Sequence, residues 1–351
     1  MSSIDVIVPC YKYAHFLKEC VESVLAGGVP AVRVVIIDDA SPDNTAEVAN
    51  ALARSDARVN VIRHPVNNGH IATYNEGIEW VSADYLLLLS ADDYLLPGAL
   101  RRATDLLDAH PEMGFVFGNV INSAESGIRN SPDLEPIGDK VGAQVMSGLE
   151  FIRLIESKGT INIVPTATAV VRTSLQKRVG GYLSELPHSG DLEMWLRLAA
   201  YASVGSLETY QAVYRRHGQN MQTDYYNVKR GLPDMAQRKA ALDCFHQSCK
   251  SQLPNADQIH RDLLRPLGGE SIKLAHAAFD EGDRETSDQF ARIAAEADPQ
   301  IIHSAGWKTL FWKRCLGVHF WRKLRVARQR IWNLRRRAGN LVRKTLRLGA
   351  G

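Results

Sequence analysis

The sequence predicts an α/β fold, with a mostly parallel central sheet carrying helices on both faces and a C-terminal helical extension. Two patterns in the chain argue for the layered part. Short apolar runs alternate with amphipathic segments over residues 4–120, the rhythm of repeated βα units. Residues 230–298 then read as wholly helical with polar faces, which separates the extension from the sheet.

Taken in order, Ile4–Val8, Val32–Ile37, Val59–Ile62, Tyr85–Leu89 and Phe115–Val120 are predicted strands, with helices over Ala14–Leu25, Thr45–Arg54, Ala72–Val81 and Ala99–Ala109 between them. Asn44 and Thr45 supply capping chemistry after Asp43, and Pro111 follows the helix that ends near His110. Residues 123–148, rich in Ser, Gly, Asn and Pro, read as a long loop, and such loops are often functional. A helix over Leu149–Glu156, a strand over Ala167–Val171, a helix beginning near Asp191 and a strand over Tyr210–Arg215 complete the domain. In the extension, Pro254 and the stretch Pro266–Gly269 are expected to break the helices. No internal repeat is present.

The 351 residues are 45% hydrophobic and 23% charged, ordinary for a soluble globular protein with one large domain and an appendage. The net charge of +3 conceals an asymmetry, because residues 299–351 hold 14 Lys/Arg and no Asp/Glu while residues 1–298 carry a net −11. Boundaries are therefore expected at 1–222, 223–298 and 299–351. Five cysteines (Cys10, Cys20, Cys244, Cys249 and Cys315) form no CxxC pair, and the first residues show no charged-then-apolar leader, which favours a reducing cytoplasm. No run approaches the roughly 18–20 apolar residues of a membrane span.

In an open parallel sheet, ligands bind beyond the carboxyl ends of the strands. Here those ends are Pro9-Cys10-Tyr11, Asp38-Asp39-Ala40-Ser41 and Asp92-Asp93. An acidic edge without a GxGxxG turn or a GxxxxGK[ST] loop is ill-suited to hold phosphate by backbone amides alone. Carboxylates suit a hard divalent cation, Mn²⁺ or Mg²⁺, shared with substrate phosphate oxygens, so the pattern points to a metal-held nucleotide diphosphate. Structural roles compete at each position. Asp38 and Asp39 could cap the turn that follows, Asp92 and Asp93 could serve a helix N-terminus, and Asp191 could cap its own helix. Trp195 reads as core, Glu193 as solvent-facing or ion-paired, and Gly180-Gly181 as a turn.

The blocks "VIVPCYKYAHFLKECVESVL", "VVIIDDASPDNTAEV", "NNGHIATYNEGI", "YLLLLSADDYLLPGAL", "GGYLSELPHSGDLEMWLRLA" and "YRRHGQNMQ" resemble, in order and spacing, the family 2 glycosyltransferases. The resemblance covers about residues 3–222. It implies the glycosyltransferase A fold, with a nucleotide-binding half and an acceptor half, Pro9 and Tyr11 bordering the base and Asp39 accepting from the base imide, as uracil or thymine would offer. It further implies Asp92 as metal ligand with Asp93 beside it, His217 as an additional metal or phosphate contact, and Asp191 as catalytic base. Two positions depart from the family pattern. Ser90 stands where the first Asp of Asp-x-Asp is usual, and Tyr74-Asn75 where many members have Arg-Asn, which leaves Arg216 or His217 to face phosphate.

The expected activity is metal-dependent, inverting transfer from a nucleotide-sugar donor, a UDP-sugar, to a surface-glycan or lipid-linked acceptor. Rival readings are a nucleotidyltransferase, which usually brings an N-terminal Gly-rich loop absent here, and a degenerate domain acting as a membrane- or nucleic-acid-binding protein. The tail, with Trp307, Trp312, Trp321 and Trp332 interleaved among Arg and Lys, suits an anionic membrane surface, at the inner face of the cytoplasmic membrane. Packing on the domain is the alternative, and nucleic acid is disfavoured.

Overall fold

The protein is described from a computed structural model covering residues 2–29, 31–124, 141–218, 220, 228–318 and 320–321. The centre of the sheet is β1 (Ile4–Cys10), paired in parallel with β2 (Val32–Asp38) and β4 (Tyr85–Leu88), while β3 (Val59–Arg63) lies parallel on the far side of β2. Beyond β4 the directions mix. β8 (Val170–Arg172) runs antiparallel to both β4 and β6 (Met113–Ala124), and β6 pairs in parallel with the long β9 (Ser203–Arg216). β5 (Tyr94–Leu95) and β7 (Ala143–Met146) are antiparallel partners of β9, giving nine strands among the described residues.

The central strands are apolar on both sides because each face meets a layer of helices. Val6, Val8, Val34, Ile36 and Leu87 face one core with residues of α1 (Ala14–Leu25), α2 (Thr45–Ser55) and α4 (Ala99–Ala109). Their neighbours in sequence, Ile7, Val35, Ile37, Leu86 and Leu88, face the other with α3 (His70–Trp80), α5 (Gly148–Ser157), α6 (Thr173–Val179) and α7 (Gly190–Ala199). This second core continues without interruption into the extension: α8 (Leu232–Cys249), α9 (Ala256–Glu281), α10 (Arg284–Ala297) and α11 (Ala305–Leu316) contribute Phe245, Leu267, Phe290 and Leu310 to it. Trp195 belongs to this core, tilted 5.4 Å from Phe115, and Glu193 is buried in an ion pair with Arg197 at 2.8 Å.

Three differences from the sequence reading have local causes. Pro266 and the glycines after it lie inside α9 instead of breaking it. An interior proline costs a helix about 3 kcal/mol, and here the cost is offset by burial of Leu263, Leu264, Leu267 and Ile272 against the neighbouring helices. Gly268 also lets α10 approach, since a Cβ there would stand 3.1 Å from Asp298 Cβ. β5, with two residues, and β7, an exposed edge strand within the stretch read as loop, fall below any periodicity signal. Residues 125–140 of that stretch lie outside the described residues, as do Gln219, Met221 and Gln222 of the last resemblance block and the tail beyond Trp321, Trp332 included.

α3 sits so close to β1 that a Cβ on Gly77 would stand 2.3 Å from Cγ2 of the fully buried Ile7. The contact fixes the height of Tyr74 and Asn75 above the sheet. Gly77→Ala is expected to lower stability by about 1–3 kcal/mol through overpacking, read as a lower midpoint in urea denaturation; an unchanged midpoint would show that α3 can lift without cost.

Candidate active site

The loops after β1 and β2 form one bonded unit. Asp38 Oδ1 accepts from the Ser41 amide at 2.9 Å, Ser41 Oγ accepts from the Lys12 amide at 3.1 Å, and Asp43 accepts from the amides of Ala14 at 3.3 Å and Thr45 at 3.2 Å. Asp38 and Asp43 therefore hold the chain, Asp43 capping two helices at once. These bonds impose left-handed conformations on two residues with side chains, Lys12 (φ 65°) and Ala40 (φ 55°). Such strain costs of order 1–3 kcal/mol each and collects at functional sites. Cys10 beneath them is buried, which pushes its thiol up to about 12 and leaves it unreactive. Pro9 is half-buried and Tyr11 exposed at the rim.

Asp39 is buried and heavily engaged. Its Oδ1 accepts from the Asn68 amide and from His64 Nδ1, both at 2.7 Å, and its Oδ2 from the Gly69 amide at 2.9 Å. A carboxylate offers about four lone-pair positions, so one on Oδ2 remains for a ligand. His64 in turn meets Glu76 at 2.5 Å through Nε2. Burial opposes a charge on His64, but the two carboxylates outweigh it and hold the imidazole above its ordinary range. A cavity of about 410 Å³ opens beside this triad, lined by Ala40, Arg63, His64 and Pro65.

The Asp92–Asp93 turn is tied to the end of β9. Asp93 Oδ1 accepts from the Arg215 amide at 3.0 Å, while the Arg215 guanidinium donates to the Asp92 carbonyl at 2.5 Å and to Glu19 of α1. That guanidinium is 1% exposed and lies between the rings of Phe16 at 4.8 Å and Tyr94 at 4.6 Å. Asp92 Oδ2 meets His217 Nε2 at 3.0 Å, with Asn220 Nδ2 at 3.5 Å, and the His217 ring stacks on Phe16 at 5.5 Å. Burial raises the carboxyls of both aspartates, and the adjacent Asp92 charge raises Asp93 further.

Asp191 stands at the start of α7, partly open to solvent, with Thr166 Oγ1 donating to its Oδ2 at 2.8 Å and Tyr182 as a further partner. Burial raises its carboxyl; Thr166, Tyr182, His70 and His188 offset only part of this. The Tyr74 hydroxyl is pushed up by burial and then by the charges of Asp191 and Asp92. Where the usual pattern has Arg, the edge-to-face series His70, Tyr74, Tyr182 occupies the space. Asn75 clamps the Tyr182 backbone from both sides, at 2.7 and 2.9 Å.

No three His, Cys, Asp or Glu side chains among the described residues are arranged to hold a metal ion. Asp92 and His217 converge, however, at 3.0 Å, and one carboxylate completed by substrate phosphate oxygens is a usual Mg²⁺ arrangement, with an imidazole a donor suited to transition metals. Asp93 beside them has Oδ1 engaged by the Arg215 amide at 3.0 Å, which leaves its Oδ2 as the oxygen for a ligand. Arg216 does not face the site; it is exposed on the other side of β9 and bonds Asn122 at 3.0 Å.

Residues 5–179 match the glycosyl transferase family 2 profile. The chain belongs to glycosyltransferase family 2. Among the relatives of this glycosyltransferase-family chain is the uncharacterized glycosyltransferase EpsJ of Bacillus subtilis (strain 168), 31% identical over 29% of this chain and 29% of that protein, so the match spans under a third of its length. The putative glycosyltransferase EpsE of the same organism is 24% identical over 75% of this chain and 87% of that one. The structure of S. aureus TarS 1–349 in complex with UDP-GlcNAc shares the fold with a TM-score of 0.54 and 16% identity, over 86% of this chain and 92% of that chain. The matched profile holds Pro9, Tyr11, Asp39, Asp92 and Asp93 but stops before Asp191 and His217.

Sequence reasoning missed His64, Glu76, Thr166, Tyr182, His188 and Arg215 in this family 2 site. Arg215 left one signal, since burial and exposure alternate along a strand and Arg215 shares the face of Val213. Arg215→Lys keeps the charge, but one ammonium cannot span the Asp92 carbonyl and Glu19 as the guanidinium does. A loss of about 1–3 kcal/mol is expected from groups left unpaired, with weaker nucleotide binding. Wild-type stability in chemical denaturation of this variant would refute the assignment.

Proposed function

We propose that the protein is a metal-dependent, inverting glycosyltransferase that moves a sugar from a nucleotide-sugar donor, a UDP-sugar, to a surface-glycan or lipid-linked acceptor. The observation that carries the proposal is the Asp92–His217 contact at 3.0 Å beyond the end of β4, together with a partly open carboxylate at Asp191 at the start of α7. The donor base would lie along Pro9, Tyr11 and the His64 cavity, taking the open acceptor position on Asp39 Oδ2. An imide N–H satisfies that position, which favours uracil, and the same fold holds UDP-GlcNAc in S. aureus TarS.

The acceptor hydroxyl attacks the anomeric carbon from the side opposite the diphosphate, the carbon–oxygen bond to the diphosphate breaks, and Asp191 takes the hydroxyl proton. Thr166 and Tyr182 hold its carboxylate in position. A divalent ion held by Asp92 and His217 would stabilise negative charge on the leaving diphosphate. The His188 ring, bonded to Asp234 of α8 at 2.8 Å, and His70, bonded to the Pro187 carbonyl at 2.8 Å, frame the acceptor side.

Thermal stability in the presence of UDP, GDP or CDP, each with and without Mn²⁺, tests the donor side. UDP with Mn²⁺ is expected to stabilise, by about 2.7 kcal/mol at 100 times the dissociation constant, and Asp92→Ala to abolish the effect. No response of the wild type to any nucleotide with metal would overturn the reading. On the acceptor side, Asp191→Asn should reduce transfer by about 10²–10⁴ while leaving UDP stabilisation intact. Because burial raises Asp191, and the base works only when ionised, activity should fall as pH drops through a value above 3.8, the ordinary position of this carboxyl. An acid limb at or below that value in kcat/KM would remove Asp191 as the base.

A further inference from the structure

The helix α11 is mounted with its charges turned inward. Lys313, 5% exposed, pairs with Asp280 at 2.7 Å and lies over the Trp321 ring at 5.4 Å. Arg314 pairs with Asp288 at 2.8 Å and donates to the Ser287 carbonyl at 3.0 Å. Leu310, one turn before, is buried against the extension. Ordinary surface helices do the opposite, burying an apolar stripe and turning their charges to water.

The outward face of α11 carries Lys308, Phe311, Trp312, Cys315 and Leu316, a spacing of three and four that places them on one stripe. Phe311 is 56% exposed, Trp312 60% and Leu316 41%, and Phe320, past the turn at Gly317, is 49% exposed. A contiguous apolar surface of this kind marks an interaction site. Charge selects the occupant. Residues 299–351 contain 14 Lys/Arg and no acid, and 11 of those cations follow the described helix in sequence. A second copy would bring an equal positive charge against the first, whereas an anionic bilayer accepts rings at the acyl boundary and cations at its headgroups.

We propose that the Phe311–Trp312–Leu316 face of α11, with Phe320, is a docking surface for an anionic lipid bilayer. The inference deepens the transferase reading and rests on it only for the acceptor, because docking brings the enzyme to the surface where a lipid-linked acceptor resides. The docking itself is measured without any transfer.

The test is co-sedimentation of the full chain with vesicles of phosphatidylglycerol and phosphatidylcholine, against vesicles of phosphatidylcholine alone. Strong binding to the anionic vesicles is expected, with the Phe311→Ser/Trp312→Ser double variant binding at least about tenfold more weakly, a change of about 1.4 kcal/mol. Both residues are exposed, so the variant should retain the wild-type melting temperature. A second measurement places an environment-sensitive dye on Cys315, which is exposed on the same face; its emission should rise and shift to the blue on anionic vesicles. Wild-type affinity in the double variant, an unchanged dye signal on bound vesicles, or no vesicle binding alongside dimerisation or nucleic-acid binding through this face would each overturn the proposal. UDP stabilisation, run on the same samples, separates the two ideas: its failure with vesicle binding intact removes the transferase reading and leaves the docking surface standing.

Discussion

The buried guanidinium of Arg215 is the contact on which the acidic half of the site depends. It joins the end of β9 to the Asp92 carbonyl and to α1, while its own amide is held by Asp93. Taking a cation out of water is costly unless its donors are used; here two acceptors meet its terminal nitrogens and two aromatic faces surround it, while Nε has no hydrogen bond among the described residues. The arrangement also answers why two adjacent aspartates end a buried strand. Asp93 holds the Arg215 amide through Oδ1, which fixes the turn, and Asp92 meets His217 through Oδ2.

The same division of labour recurs at Asp38 and Asp39. Asp38 binds the Ser41 amide within its own loop, and Asp39 reaches across to the loop between β3 and α3. Acidic residues therefore build the walls of the site before they serve any ligand. The result is a rigid edge in which Lys12 and Ala40 hold conformations that free chains avoid. Preorganisation of this sort lets a flexible nucleotide be ordered without reordering the protein.

The acceptor side is braced from the opposite direction, by the helical extension. Asp234 of α8 holds His188, three residues before Asp191, and also lies 3.5 Å from Arg238, whose guanidinium bonds the carbonyls of Gly159 and Thr160. Thr160 Oγ1 reaches the Leu263 carbonyl in α9 at 2.7 Å. The loop before Thr166 and the loop before Asp191 are thus both referenced to α8, and the first of them also to α9. Because the extension shares a core with α3, α5 and α7, it positions the site as well as covering it.

The sequence by itself determined the layered fold, four helices and the central strands to within a residue or two, and the strand ends at which Asp39, Asp92 and Tyr11 gather. It could do so because apolar period and turn chemistry are local properties of the chain. It also carried the charge asymmetry of the tail. Tertiary structure alone decided what Asp93 and Asp92 each meet, since Arg215 and His217 lie more than 120 residues away from Asp92 in sequence. It alone carried α9 through Pro266, because helix packing outweighs a local breaker. And it alone turned Lys313 and Arg314 inward, leaving Phe311 and Trp312 to water: which face of α11 is covered is set by Asp280 and Asp288 on other helices, partners that no reading of α11's own periodicity contains.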